Sequence, residues 1–98
     1  MSALYGCPTG KLTRLNGTAG TVTITPGAVI WTIQVLGGAN ATIQIFNDSA
    51  AIPLPAAATS WFYYDGKHGG LVAQSTGNTI VMTNTTSFMI EVMTPNGI

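Results

Sequence analysis

Hydrophobic and polar residues alternate with a period of two along most of the chain, and no stretch shows the 3.6-residue period of an amphipathic helix. Thr21-Val22-Thr23-Ile24-Thr25 alternates strictly, with Val22 and Ile24 toward a core, and Pro26-Gly27 ends it in a turn. In Val29–Leu36 the pattern places Val29, Trp31, Ile33 and Val35 on one face. Thr32 and Gln34 then take the other, with Ile30 and Leu36 also opposite the Trp31 face. Gly37-Gly38-Ala39-Asn40 reads as a hairpin connection into Ala41–Phe46, where Thr-Ile-Gln-Ile repeats the Thr-Ile-Gln-Val of the preceding strand. Asn47-Asp48-Ser49 reads as a polar turn.

The second half continues in the same style. Pro53 and Pro55 remove two backbone donors within three residues, so 50–58 is expected to be an extended connection or an edge, crossing between sheets. Ser60-Trp61-Phe62-Tyr63-Tyr64 predicts a strand, ended by the turn 65–70, and Leu71–Gln74 a short strand or bulge. Thr79–Thr83 and Ser87–Met93 predict a last hairpin around Asn84-Thr85-Thr86. In its second strand Phe88, Ile90 and Val92 face one way and Met89, Glu91 and Met93 the other. About seven to eight short strands and no helix predict an all-β chain, an antiparallel β-sandwich of jelly-roll type, with a small closed barrel as the other architecture. Its 98 residues make one domain, 1–98, in which 1–17 is expected to be an N-terminal arm or irregular segment.

Charge changes the picture. Three Lys and Arg balance three Asp and Glu, and charged residues make up 6% of the chain against roughly 25% in an ordinary domain. Nucleic-acid binding by phosphate neutralisation needs several cations on one face and is not expected. The uncharged run Gly27–Phe46 is long enough to be mistaken for a membrane span. Its central Gly37-Gly38, its two glutamines and its β-branched residues argue for two strands, and no membrane partner is expected. The N-terminus lacks a basic stretch followed by an apolar run, so no signal peptide is read and synthesis in a cytoplasm is expected.

The chemical inventory is equally sparse. One His, one Cys and three carboxylates leave no recognisable acid–base pair, phosphate loop or zinc ligand set, so no catalytic residue, metal or cofactor is expected. Cys7 is alone and cannot form an intrachain disulfide. His68, beside Asp65 and Lys67, reads as a solvated hairpin tip. Four Asn-x-Ser/Thr matches, beginning at Asn16, Asn40, Asn47 and Asn84, read as turn markers rather than glycosylation sites.

Six charges cannot guard the rims of so many strands. With Phe88, Ile90 and Val92 inward, Met89 and Met93 point outward, and exposed apolar area of this kind marks a partner surface. The expectation is a homo-oligomer or a place in a larger assembly.

One resemblance sharpens that expectation. Ile52-Pro53-Leu54-Pro55-Ala56, Thr59–Tyr64, Gly70-Leu71-Val72-Ala73, Thr79–Thr83 and Ser87–Val92 occur in an order that resembles small β-sandwich virion proteins of tailed bacteriophages. These include capsid decoration, or cement, proteins and head or tail accessory proteins. The resemblance covers roughly residues 50–93. It implies a non-enzymatic structural protein of the virion, assembled in the host cytoplasm. Such a protein binds the major capsid protein or another virion protein across capsomer boundaries and stiffens the shell. Independently of the resemblance, the exposed apolar and aromatic positions Trp61, Tyr63, Met89 and Met93 and the proline connection at Pro53 and Pro55 are the expected contact residues. The alternative is a tail or fibre module that binds host-surface carbohydrate by stacking sugar rings on Trp61 and Tyr63.

Overall fold

The computed structural model describes residues 10–46, 50–54, 60–64 and 71–96, and within 60–64 the backbone and the Tyr63 side chain. Among these residues nine strands form: β1 (Gly10–Gly17), β2 (Gly20–Thr23), β3 (Val29–Leu36), β4 (Thr42–Ile45), β5 (Ile52–Pro53), β6 (Ser60–Tyr64), β7 (Leu71–Val72), β8 (Thr79–Thr83) and β9 (Ser87–Pro95). They make two antiparallel sheets. One runs β1-β9-β3-β6, with β7 also on β3, and the other runs β2-β8-β4-β5. The chain is all-β.

Leaving aside the two-residue β7, the pairs β1·β9, β2·β8, β3·β6 and β4·β5 nest from the ends of the chain toward its middle. This is one long hairpin, rolled so that β9 also meets β3 and β8 also meets β4. That double wrapping is the jelly roll. The predicted sandwich is therefore the architecture. No ladder joins the two sheets among the described residues, as a closed barrel would require.

The inner faces meet in one core. Ile30, Ile33, Val35, Phe88, Ile90 and Val92 come from the five-stranded sheet, and Ile43, Ile45, Ile80 and Met82 from the four-stranded one. Full burial of a branched aliphatic side chain is worth about 1.5–3 kcal/mol, so this double layer is the main force holding the sheets face to face.

Four expectations need correction. First, Gly10–Gly17 is not part of an arm. It pairs residue for residue with β9, from Gly10 opposite Pro95 to Gly17 opposite Phe88. Leu12 and Leu15 stand three residues apart and so fall on opposite faces of the strand, which leaves no two-residue alternation to mark the segment. Residues 1–9 lie outside the described residues.

Second, neither predicted hairpin exists. β3 and β4 lie in opposite sheets, as do β8 and β9. The connections 37–40 and 84–86 are corners that carry the chain across the core, and they hold one another in place. Asn84 Nδ2 donates to the Asn40 carbonyl (3.3 Å) and the Thr86 amide to the Leu36 carbonyl (3.0 Å). Asn40 and Asn84 both sit at φ 57°, a left-handed conformation that asparagine tolerates better than most residues. A Cβ on Gly38 would lie 2.6 Å from the Asn84 carbonyl oxygen, so only glycine allows the corners to touch. The third crossing, β1 to β2, joins them through the buried Thr85, whose hydroxyl donates to the Thr18 carbonyl.

Third, Trp31 does not share the core face of Ile33 and Val35. Along β9, Ile30 stands opposite Val92 and Thr32 opposite Glu91, leaving Trp31 as an extra, bulged residue. The bulge resets the alternation. Ile30 becomes a fully buried core residue, while Trp31 is half-buried outside the core cluster.

Fourth, Tyr63, expected to be a contact residue, turns inward. It pairs with Ile33 and packs against the core.

Candidate functional site

The bulge and the strand register together give the outer face of the five-stranded sheet a banded pattern. One row reads Leu12, Met93, Val29 and Val72 across β1, β9, β3 and β7. The next reads Arg14, Glu91 and Thr32, and the third Asn16, Met89 and Gln34. Ser87 and Leu36 close the far end, and Trp31 enters between the first two rows.

Seven apolar side chains thus belong to this face and not to the core: Leu12, Val29, Trp31, Leu36, Val72, Met89 and Met93. Leu12 is 46% exposed and Val72 47%, at the two ends of the first row. Val29 between them is buried without joining the core cluster. The outward placement of Met89 and Met93 follows from β9's alternation, since Phe88, Ile90 and Val92 are buried and the residues between them half-buried.

Among the described residues, charge on this face is confined to one pair. Arg14 stands directly opposite Glu91 and donates from Nη2 (2.8 Å) and Nε (3.3 Å) to the same carboxylate oxygen, Oε2. The guanidinium is largely exposed, so the pair contributes no more than about 1 kcal/mol. Among the described residues it fixes the only acidic group on the face in the middle row and leaves the rows on either side uncharged.

A concavity of about 480 Å³ opens on the uncharged side, lined by Asn16, Gly17, Gln34, Leu36, Ser87, Phe88 and Met89. Gly17 shapes it. A Cβ there would come within 2.7 Å of Cε2 and Cζ of Phe88, so the ring lies where a side chain would otherwise stand, as aromatics do over edge glycines. The lining supplies amides, a hydroxyl, a thioether and hydrocarbon. It can bury apolar surface and exchange hydrogen bonds, but it offers no group that takes up a proton near neutral pH.

The predicted contact residues distribute unevenly. Met89 and Met93 lie on the outer face, and Met89 lines the concavity. Pro53 is exposed on β5, the rim of the other sheet. Trp61 pairs through its backbone with Val35; its side chain, Pro55, Cys7 and the 65–70 turn with His68 lie outside the described residues. Leu36, placed opposite the Trp31 face by the alternation, does lie on the outer face, whereas Leu12, Val29 and Val72 were missed as residues of that face. Neither Leu12 nor Val72 stands in an alternating stretch that would assign it a face, and Val29 was hidden by the bulge. Asn16, read as a turn marker, stands within β1.

Among the described residues, no three potential metal ligands gather, and no helix is long and apolar enough to cross a membrane. The chain matches no protein-family model, no curated protein sequence and no solved structure.

Proposed function

We propose that this chain is a non-enzymatic structural protein of a tailed-bacteriophage virion, a decoration protein that lays the outer face of its five-stranded sheet against the shell. The observation that carries the reading is the seven-residue apolar set on that face, outside the core. A monomer has no use for such a surface, and a docking protein does. The resemblance of residues 50–93 to small virion proteins supplies the particular partner, the major capsid protein or a neighbouring virion protein.

Size sets the mechanism. A face of four strands about 4.8 Å apart and about eight residues long covers roughly 500 Å², less than the roughly 800 Å² per partner of a standard stable interface. One contact is weak. A shell repeats the contact many times, and oligomers of the chain would engage several sites at once, so affinity accumulates by avidity. The carbohydrate alternative loses one of its two stacking rings, because Tyr63 packs against the core.

The test is a comparison of the native chain with a Met89→Asp/Met93→Asp variant. Both positions are half-buried and outside the core, so the variant should fold. Shells lacking the protein should take up the native chain and become more resistant to heat, whereas the variant should leave them undecorated in electron micrographs. Equal occupancy by both proteins would refute the reading.

A further inference from the structure

β1 is the longest free rim among the described strands. It ends the five-stranded sheet with β9 on one side, and every residue from Gly10 to Gly17 is exposed except the half-buried Leu15. The four-stranded sheet ends instead in the four-residue β2 and in β5, which is two residues long and contains Pro53. An edge of eight residues without a proline, and with an unbroken register to its neighbour, is a template for another strand. Its guards are Lys11 and Arg14, and Arg14 is turned back onto its own sheet by Glu91.

A second observation concerns the side of the sandwich below this rim. A cleft of about 140 Å³ opens there, lined by Thr13, Leu15, Val92 and Thr94 of one sheet and by Thr23, Ile24 and Thr25 at the end of β2. It reaches the core residues Ile24 and Val92. A chain seated along β1 would cover it.

We infer that the free edge of β1 pairs antiparallel with β1 of a second copy of this chain, about a two-fold axis at Thr13. Symmetry and charge choose this register. Two identical antiparallel strands in one sheet are related by an axis normal to it, so residues that face each other must lie on the same side. Leu12, Arg14 and Asn16 share one side, and Lys11, Thr13 and Leu15 the other. Two registers satisfy the rule while keeping about seven residues paired, one centred on Thr13 and one on Arg14. Centring on Arg14 sets two guanidinium groups directly opposite each other, which is destabilising. Centring on Thr13 places Leu12 against Arg14 of the second copy and Lys11 against its Leu15. The long cationic stems then cover the leucines while their charges reach water.

The contact uses the rim and, of the outer-face apolar set, covers Leu12 alone at its edge, so it stands or falls separately from shell docking. Its area is modest. A wall about 27 Å long and about 20 Å deep gives roughly 540 Å² per copy, again short of a standard interface. The dimer is therefore reversible, and it fills at high protein concentration or where a surface gathers copies.

The experiment uses the full chain with Cys7→Ser, which removes the native thiol, and adds either Thr13→Cys or Arg14→Cys. Under mild oxidation, Thr13→Cys should yield the disulfide-linked dimer at least about tenfold faster than Arg14→Cys, because only Thr13 meets its own copy in this register. Equal rates, or a faster Arg14→Cys, overturn the register. Hydrogen exchange on the unaltered chain checks the edge without any substitution. Raising concentration about a hundredfold, toward millimolar, should protect the β1 amides that point away from β9. Unchanged exchange at those amides overturns the pairing.

Discussion

Deleting a residue from β3 tests the bulge and, through it, the docking face. Trp31 is the extra residue between the Ile30–Val92 and Thr32–Glu91 pairs. On the other side of β3, β6 stops opposite Thr32 and β7 starts opposite Ile30, so no described ladder residue stands across from Trp31 there either. Removing Trp31 therefore straightens the strand and keeps Ile30 and Ile33 inward. The loss is the contact area of a half-buried indole, about 1–2 kcal/mol. Removing Gln34, three residues later in regular strand, shifts everything before it by one place. Ile30 and Ile33, both 0% exposed, would then turn to the outer face while Thr32 turned inward. Two isoleucines at about 1.5–3 kcal/mol each amount to about 3–6 kcal/mol. Thr32 is already buried on the outer face and adds no comparable cost, so the isoleucines carry the loss, which reaches the lower end of the whole stability of a small domain, about 5–15 kcal/mol. Urea titrations followed by circular dichroism read the difference. The Trp31 deletion should fold, with its midpoint lowered by about 1 M, and the Gln34 deletion should have no cooperative transition. If the Trp31 deletion is as damaging as the Gln34 deletion, the strand is not bulged there and the assignment of faces on β3 is wrong.

Gly17→Val should lower stability by about 1–3 kcal/mol, because the new Cβ falls 2.7 Å from the Phe88 ring; denaturant melts should show the penalty shrinking in a Phe88→Leu background, and an equal penalty there would deny the close approach. Thr85→Val removes the hydroxyl that ties the 84–86 corner to the Thr18 carbonyl. It should cost about 0.5–1.5 kcal/mol in thermal or chemical unfolding, and an unchanged midpoint would mean that the corner is held without this bond.

The local pattern was enough for the strands themselves. Alternation located β3, β4, β6, β8 and β9 and told Met89 and Met93 from Phe88, Ile90 and Val92, because a two-residue period encodes which side of a strand is wet. The near absence of charge likewise agreed with apolar side chains left outside the core, such as Leu12 and Val72. Which strand lies beside which was not legible in that pattern. A strand with one apolar face is equally content next to its neighbour in a hairpin or across the core from it, so Gly37–Asn40 and Asn84–Thr86 read as hairpins until the corners were seen bonded to each other. Tertiary packing decided the bulge as well. A single extra residue at Trp31 is invisible to a periodic reading, yet it moves Ile30 into the core and Val29 and Trp31 onto the outer face. The sequence alone determined which side chains avoid water and how they alternate. The rolled arrangement, which requires contacts between the first and last strands of the chain, decided which of them cover the core and which lie on the outer face.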